Sequence, residues 1–237
     1  MTASGIASRI IGFFYRIFLA QTIGAEALGI YQLIAPVFAM CFALTASSIQ
    51  TSISKFVGDA CGKNAGTSQG EITARGYLLL GLVISCTASV IVGIFLYTQA
   101  DWIALHFLGE LRCAPLLSLL SFSMLPCCIH ACINGYYYGL QKSKIPSIGQ
   151  CIEQVVRIGS VMGIYYITIH SGLPFTKFHA MLGLLLGEIA ATFYYLNLLS
   201  LSQKQIRQKP SAQVNTTCKD LLSMACPLTA TRLLLTV

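Results

Sequence analysis

The stretch SGIASRIIGFFYRIFLAQTIG, residues 4–24, decides the fold. It is apolar and long enough to cross a bilayer, yet it holds Arg9 and Arg16, seven residues apart. Seven residues are nearly two helical turns, so both guanidinium groups share one face, about 10 Å apart along the axis. A charge in hydrocarbon is costly unless it faces a partner or a polar cavity, so the spacing indicates an intramembrane anion site. The alternative is that both side chains reach back to the interface, which is easier for Arg9 than for Arg16.

The rest of the chain also has a membrane-protein composition. Of 237 residues, 55% are hydrophobic and 10% charged, and the mean hydropathy is +0.72; a soluble domain carries about a quarter charged residues. Further stretches of the required length occupy residues 28–54, 76–98, 114–136, 145–169 and 178–201. A last apolar run starts at Leu221 and continues to Val237. The sequence therefore predicts an all-α, multi-pass transmembrane helical bundle with six full spans and a truncated seventh.

Polarity divides the chain into three parts. Residues 1–202 are expected to form an amino-terminal transmembrane lobe of six helices, 203–218 a cytoplasmic linker, and 219–237 the start of a truncated second lobe. Because three residues precede the first span and the last run is unfinished, both ends are expected to be trimmed. Arg16 interrupts the only apolar core that a cleavable signal peptide could use.

A faint internal repeat supports a second lobe. Residues 230–234, ATRLL, resemble residues 7–11, ASRII, at a distance of 223 residues. Arg232 would then correspond to Arg9, which makes it a further candidate binding residue.

Basic residues predict the orientation, because they concentrate in alternate loops. Only Arg112 and Lys177 lie in the loops that follow odd-numbered spans. Nine others follow even-numbered spans: Lys55, Lys63, Arg75, Lys142, Lys144, Lys204, Arg207, Lys209 and Lys219. This asymmetry predicts a cytoplasmic amino terminus and explains the net charge of +7 through topology and anionic lipid headgroups, without nucleic acid.

Three further charges lie inside predicted spans. Glu153 and Arg157 have the i, i+4 spacing of a helical salt bridge, with the acid on the favoured side. The pair either fixes the packing of its helix or lines the same cavity as Arg9 and Arg16. Glu188, in the sixth span, either bonds a neighbouring helix or meets a substrate.

Small residues and prolines predict how the spans pack. Gly183 with Gly187, and Gly159 with Gly163, have the small-xxx-small spacing that lets two membrane helices approach closely. Pro36 and Pro126 fall inside spans, where each removes a backbone hydrogen bond and favours a kink.

The ten cysteines predict neither disulfides nor a metal site. The cluster of Cys127, Cys128, His130 and Cys132 lacks the usual zinc spacing, and its residues are expected to serve packing. No set of residues typical of hydrolases or nucleotide-binding enzymes occurs, so neither catalysis nor a cofactor is predicted.

Two motifs resemble a known family. One is ASRIIGF at residues 7–13, followed by Arg16 and by GIY at 29–31; the other is GYYYGLQ at 135–141, followed by EQVVRI at 153–158. Both resemble the stage V sporulation protein B-like polysaccharide flippases of the multidrug/oligosaccharidyl-lipid/polysaccharide exporter superfamily. The resemblance extends over nearly the whole chain and implies one lobe of a two-lobe exporter with about fourteen helices and a central cavity.

The resemblance also implies a function. The chain would be a flippase that moves a lipid-linked saccharide or cell-wall precursor across the bacterial cytoplasmic membrane by alternating access, in sporulation or envelope polysaccharide synthesis. Arg9 and Arg16 would hold the substrate pyrophosphate, and Glu153 and Arg157 would line the cavity. Its partners would be that substrate, membrane lipids and the missing carboxy-terminal lobe. The alternatives are a cation-coupled multidrug exporter of the same superfamily and a nonfunctional or scaffolding membrane fragment.

Overall fold

The computed structural model describes residues 2–63, 68–172, 174–206 and 218–236. Side-chain placements are described for residues 10–63, 69–172, 174–201, 221 and 223–232. These parts contain helices and connecting turns but no β-strand, so the all-α prediction is confirmed for them. The α-helices are α1 (Thr2–Phe42), α2 (Ser48–Lys63), α3 (Ser68–Thr98), α4 (Ala100–His106), α5 (Ala114–Gly139), α6 (Lys144–His170), α7 (Lys177–Ile206) and α8 (Cys218–Thr236).

Helix α1 is broken at Gly24. Its φ of 82° and ψ of 162° lie outside the helical region, and the positive φ is one that side-chain-bearing residues rarely adopt. The break coincides with the predicted end of the first span. Beyond it, α1 continues through a π-helical turn, Ala43–Ser47, into α2.

Within the described residues, four stretches are long and apolar enough to cross a membrane: Ile10–Lys63, Gln69–Thr98, Leu111–Gly139 and Lys177–Leu201. The first has 54 residues, or about 81 Å if it were one straight helix, well beyond a hydrocarbon core of about 30 Å. The break at Gly24 lies between the two spans that the sequence predicts within it. Helix α6, which carries Glu153 and Arg157, is not among the four, so the count of six spans stays a prediction.

Helix α5 is the centre of the bundle and packs against α2, α3 and α7. Gly135 and Gly139 allow its close approach to α2. A Cβ at Gly135 would collide with the carbonyl oxygen of Gln50, and one at Gly139 would lie 2.7 Å from the carbonyl oxygen of Ser54. The GYYYG motif is therefore a packing motif in which two glycines accommodate the α2 backbone.

Gly135→Ala is expected to destabilise the bundle by about 1–3 kcal/mol, because backbone atoms of α2 must move to admit the methyl group. Gly163→Ala is the matched control, since a Cβ there meets nothing within 4 Å and alanine is the better helix former by about 1 kcal/mol. Thermal unfolding in detergent measures both. Equal midpoints for the two variants would contradict the close packing of α5 on α2.

An ionic cluster joins α1 to the connection between α4 and α5 at one end of the bundle. Arg112 Nη1 lies 2.6 Å from Glu26 Oε1, and Arg112 Nε lies 2.8 Å from Glu110 Oε1. The hydrogen bonds from Arg112 lower the pKa of the exposed Glu110 carboxyl to about 2. The predicted loops after the first and third spans therefore meet at the same end; which side of the membrane this end faces stays a prediction.

One packing prediction is wrong. A Cβ on Gly159 or Gly163 would meet nothing within 4 Å, so these glycines do not mediate close packing in the described bundle. These glycines lie on a different side of α6 from the one that faces α7. Arg157 faces α7, and Gly159 lies about 200° around the helix axis from Arg157.

The predicted linker is described only at its edges. Helix α7 extends to Ile206 and α8 begins at Cys218, while residues 207–217 lie outside the described part of the chain. The division into 1–202, 203–218 and 219–237 therefore stays a prediction.

Candidate functional site

Helix α6 supplies the first ion pair of a buried network. Glu153 and Arg157 lie one turn apart, and Arg157 Nη2 donates to Glu153 Oε1 over 2.5 Å. Their side chains are only 16% and 17% exposed. The predicted salt bridge therefore forms, and it forms between side chains that are largely buried.

Helix α7 adds a second acid to the same guanidinium group. Glu188 is 3% exposed, and its Oε1 lies 3.5 Å from Arg157 Nη2. Gly187 permits this approach: a Cβ there would lie 3.0 Å from the carbonyl oxygen of Glu153 and 3.1 Å from Cβ of Arg157. The small-residue packing predicted for Gly183 and Gly187 is confirmed, because a Cβ on Gly183 would also lie 3.2 Å from the Arg157 carbonyl oxygen.

Helix α5 contributes a residue that sequence reasoning assigned to packing. His130 Nδ1 lies 3.3 Å from Glu188 Oε2, and His130 is 9% exposed. The network thus links α5, α6 and α7 through His130, Glu188, Arg157 and Glu153. The sequence did contain one indication of this contact. Predicted spans five and six hold two acids, Glu153 and Glu188, but one arginine, so one acid needed a further polar partner.

Arg157 also lines a cavity of about 220 Å³, which we call the arginine cavity. Arg16 lines it from the first half of α1, and Tyr31 and Gln32 line it from the second half. The remaining lining residues are Tyr15, Leu19, Leu28, Ile34, Ala35, Phe38, Leu120, Met181 and Leu184. The structure therefore brings Arg16, which is exposed, and Arg157 to one partly open space with a largely apolar wall.

Glu153 faces a second space, which we call the polar cavity. It measures about 190 Å³ and is also lined by His130, Asn134 and Gln150. Its other lining residues are Phe42, Gln50, Ala131, Tyr138, Pro146 and Tyr195. The ionic network thus contacts both cavities, with Arg157 on the arginine cavity and with Glu153 and His130 on the polar cavity.

The two other candidate arginines lie elsewhere or are not described. The side chain of Arg9 lies outside the described residues, although its backbone belongs to α1. Arg232, on α8, donates to the hydroxyl oxygens of Ser47 and Thr51, the latter over 2.9 Å. Arg232 is not among the residues that line the arginine cavity.

Long apolar helices around a buried ionic network define an integral membrane protein with a polar intramembrane site. Comparison with known proteins agrees: the chain belongs to the polysaccharide biosynthesis protein family, whose model matches residues 1–237. This confirms the resemblance found in the two sequence motifs.

Two proteins of Bacillus subtilis (strain 168) are similar to this chain. Stage V sporulation protein B is 30% identical over 195 residues, which are 82% of this chain and 36% of that protein. The uncharacterized membrane protein YabM is 25% identical over 169 residues, which are 71% of this chain and 30% of that protein. The chain therefore spans about a third of the length of these relatives. No solved structure matches it significantly.

Proposed function

We propose that the chain is the amino-terminal lobe of a flippase that moves a lipid-linked saccharide or cell-wall precursor across the cytoplasmic membrane. The observation that carries this proposal is the arginine cavity, where Arg16 and Arg157 line one space inside an apolar bundle. Guanidinium groups bind phosphate oxygens in bidentate geometry, so two of them facing one cavity suit a pyrophosphate linkage.

The volume of the arginine cavity limits which part of the substrate it could hold. About 220 Å³ accommodates a pyrophosphate but not the saccharide as well, because pockets for drug-sized ligands occupy about 300–1,000 Å³. The sugar would therefore lie toward a second lobe, and the acyl chain would stay in lipid. Arg9 and Arg16 would hold the phosphates, while Glu153 would neutralise Arg157 when no substrate is bound.

The remaining parts of the proposal follow from the sequence. The lobe would have six spans with a cytoplasmic amino terminus, and the linker at 203–218 would connect it to a carboxy-terminal lobe. Alternating access would arise from rocking of the two lobes around the substrate. The similarity to stage V sporulation protein B supports a role in sporulation or envelope polysaccharide synthesis.

Reconstitution into vesicles tests this function. The chain, alone or with the carboxy-terminal part of a relative, is expected to move a fluorescent lipid-linked saccharide pyrophosphate between leaflets. The measurement is the fraction of probe that an impermeant quencher reaches, compared with protein-free vesicles. A fraction equal to that of the protein-free vesicles in both forms contradicts the proposal. Efflux of cationic dyes without lipid movement would favour the multidrug exporter, and the absence of both would favour a scaffold.

A further inference from the structure

A third residue, Cys127, lies beside His130 and Glu188. The Sγ atom of Cys127, a ring nitrogen of His130 and a carboxylate oxygen of Glu188 all lie within 4.8 Å of one another. The three residues are 4%, 9% and 3% exposed. Three atoms that commonly bind metals therefore converge in the interior, from α5 and α7.

Two polar atoms of these residues are buried without a hydrogen-bond partner among the described residues. His130 Nδ1 and Glu188 Oε2 face each other at 3.3 Å but are not aligned for a hydrogen bond. Buried polar atoms almost always have partners, so this pair requires an explanation. Bonds of about 2.0–2.3 Å to a tetrahedral zinc ion place its ligand atoms roughly 3.3–3.8 Å apart. The 3.3 Å between His130 Nδ1 and Glu188 Oε2 lies in that range, and the two pairs that include Cys127 Sγ lie within 4.8 Å.

The charge of the network also suits a cation. Glu153 and Arg157 compensate each other at 2.5 Å, whereas the arginine contact of Glu188 within the described residues is the longer one, 3.5 Å to Arg157. Metal binding would deprotonate the thiol of Cys127. A carboxylate and a thiolate then offer two negative charges to one divalent ion.

We propose that Cys127, His130 and Glu188 bind one divalent transition-metal ion of the softness of Zn²⁺. Sulfur and imidazole ligands favour such an ion, whereas Mg²⁺ and Ca²⁺ favour oxygen ligands alone. The fourth ligand is a water molecule from the polar cavity, which His130 also lines and whose volume of about 190 Å³ admits water. The ion joins α5 to α7 beside the arginine cavity.

Cobalt substitution tests the site directly. The purified chain carries serine in place of Cys61, Cys151, Cys218 and Cys226, so that these thiols do not capture metal. After chelation and titration with Co²⁺, the expected result is one equivalent bound, with a thiolate-to-metal charge-transfer band and the visible bands of tetrahedral cobalt. Zn²⁺ displaces the cobalt.

Three substitutions distinguish metal binding at this site from adventitious metal binding elsewhere on the chain. Cys127→Ser is expected to lose the charge-transfer band, whereas Cys113→Ser, a control at another buried cysteine, keeps it. Glu188→Gln keeps the band but weakens affinity by more than the 10–100-fold typical of losing an outer-shell partner. Absence of stoichiometric binding, or a band that persists in Cys127→Ser, overturns the proposal. If Cys127→Ser fails to fold, as judged by helical circular dichroism, unchanged affinity in Glu188→Gln overturns it.

Discussion

Arg16→Ala is expected to abolish lipid flipping while leaving membrane insertion and folding intact. The guanidinium group lines the arginine cavity, where it shares with Arg157 the role of binding phosphate oxygens. Hydrogen bonds to a charged group contribute about 1.5–3 kcal/mol each, so the loss of even one weakens binding of a lipid-linked pyrophosphate by roughly 10–150-fold. Native mass spectrometry of the purified chain measures this binding, and the vesicle assay measures movement.

Two further substitutions test whether the effect of Arg16→Ala comes from the loss of its guanidinium group in the arginine cavity. Arg16→Lys keeps the positive charge but loses the planar guanidinium group with its paired N–H donors. Its affinity for the lipid-linked pyrophosphate is therefore expected to lie between that of the unchanged chain and that of Arg16→Ala. Arg112→Ala removes another arginine whose ion pair lies on the surface, with side chains 56% and 75% exposed, and is expected to change neither binding nor movement. Undiminished flipping by Arg16→Ala, or an equal loss in Arg112→Ala, contradicts the phosphate role.

The sequence predicted the features that depend on the cost of charge in hydrocarbon. Arg16 was expected to face a cavity because it lies near the middle of its span, where reaching back to the interface is difficult, and the structure places it on one. The Glu153–Arg157 pair could also be predicted from the sequence, because i, i+4 spacing brings the side chains together within a single helix. Such local rules need no knowledge of how the helices are arranged.

Features that depend on the arrangement of helices were not predictable. His130 meets Glu188 across the interface between α5 and α7, so no local spacing reveals the contact. The spacing of Gly159 and Gly163 is the same as that of Gly183 and Gly187, yet only the latter pair faces a neighbouring helix in the described bundle. The period of a pattern shows that two residues share a face but not what that face contacts.

Glu153→Gln is expected to cost about 3–5 kcal/mol of stability, because it leaves Arg157 buried with only the 3.5 Å contact to Glu188. Glu26→Gln is the matched control: Glu26 also pairs with an arginine, at 2.6 Å, but its side chain is 75% exposed. That substitution is expected to cost no more than about 1 kcal/mol. Unfolding by denaturing detergent measures both variants, and equal costs would contradict the exclusion of water from the network.

The double variant Glu153→Gln, Arg157→Met distinguishes the two roles that the sequence left open for this pair. Replacing both charges by neutral side chains of similar length removes the buried arginine that Glu153→Gln leaves with one contact, while Glu188 loses its 3.5 Å contact to Arg157, so stability is expected to recover part of the loss. If the pair only holds α6 in place, the double variant also flips lipid. If Arg157 binds phosphate in the arginine cavity, the double variant folds but neither binds the pyrophosphate nor moves it. We expect the second outcome, because an arginine with a purely structural role has no need to line a cavity that a second arginine also faces.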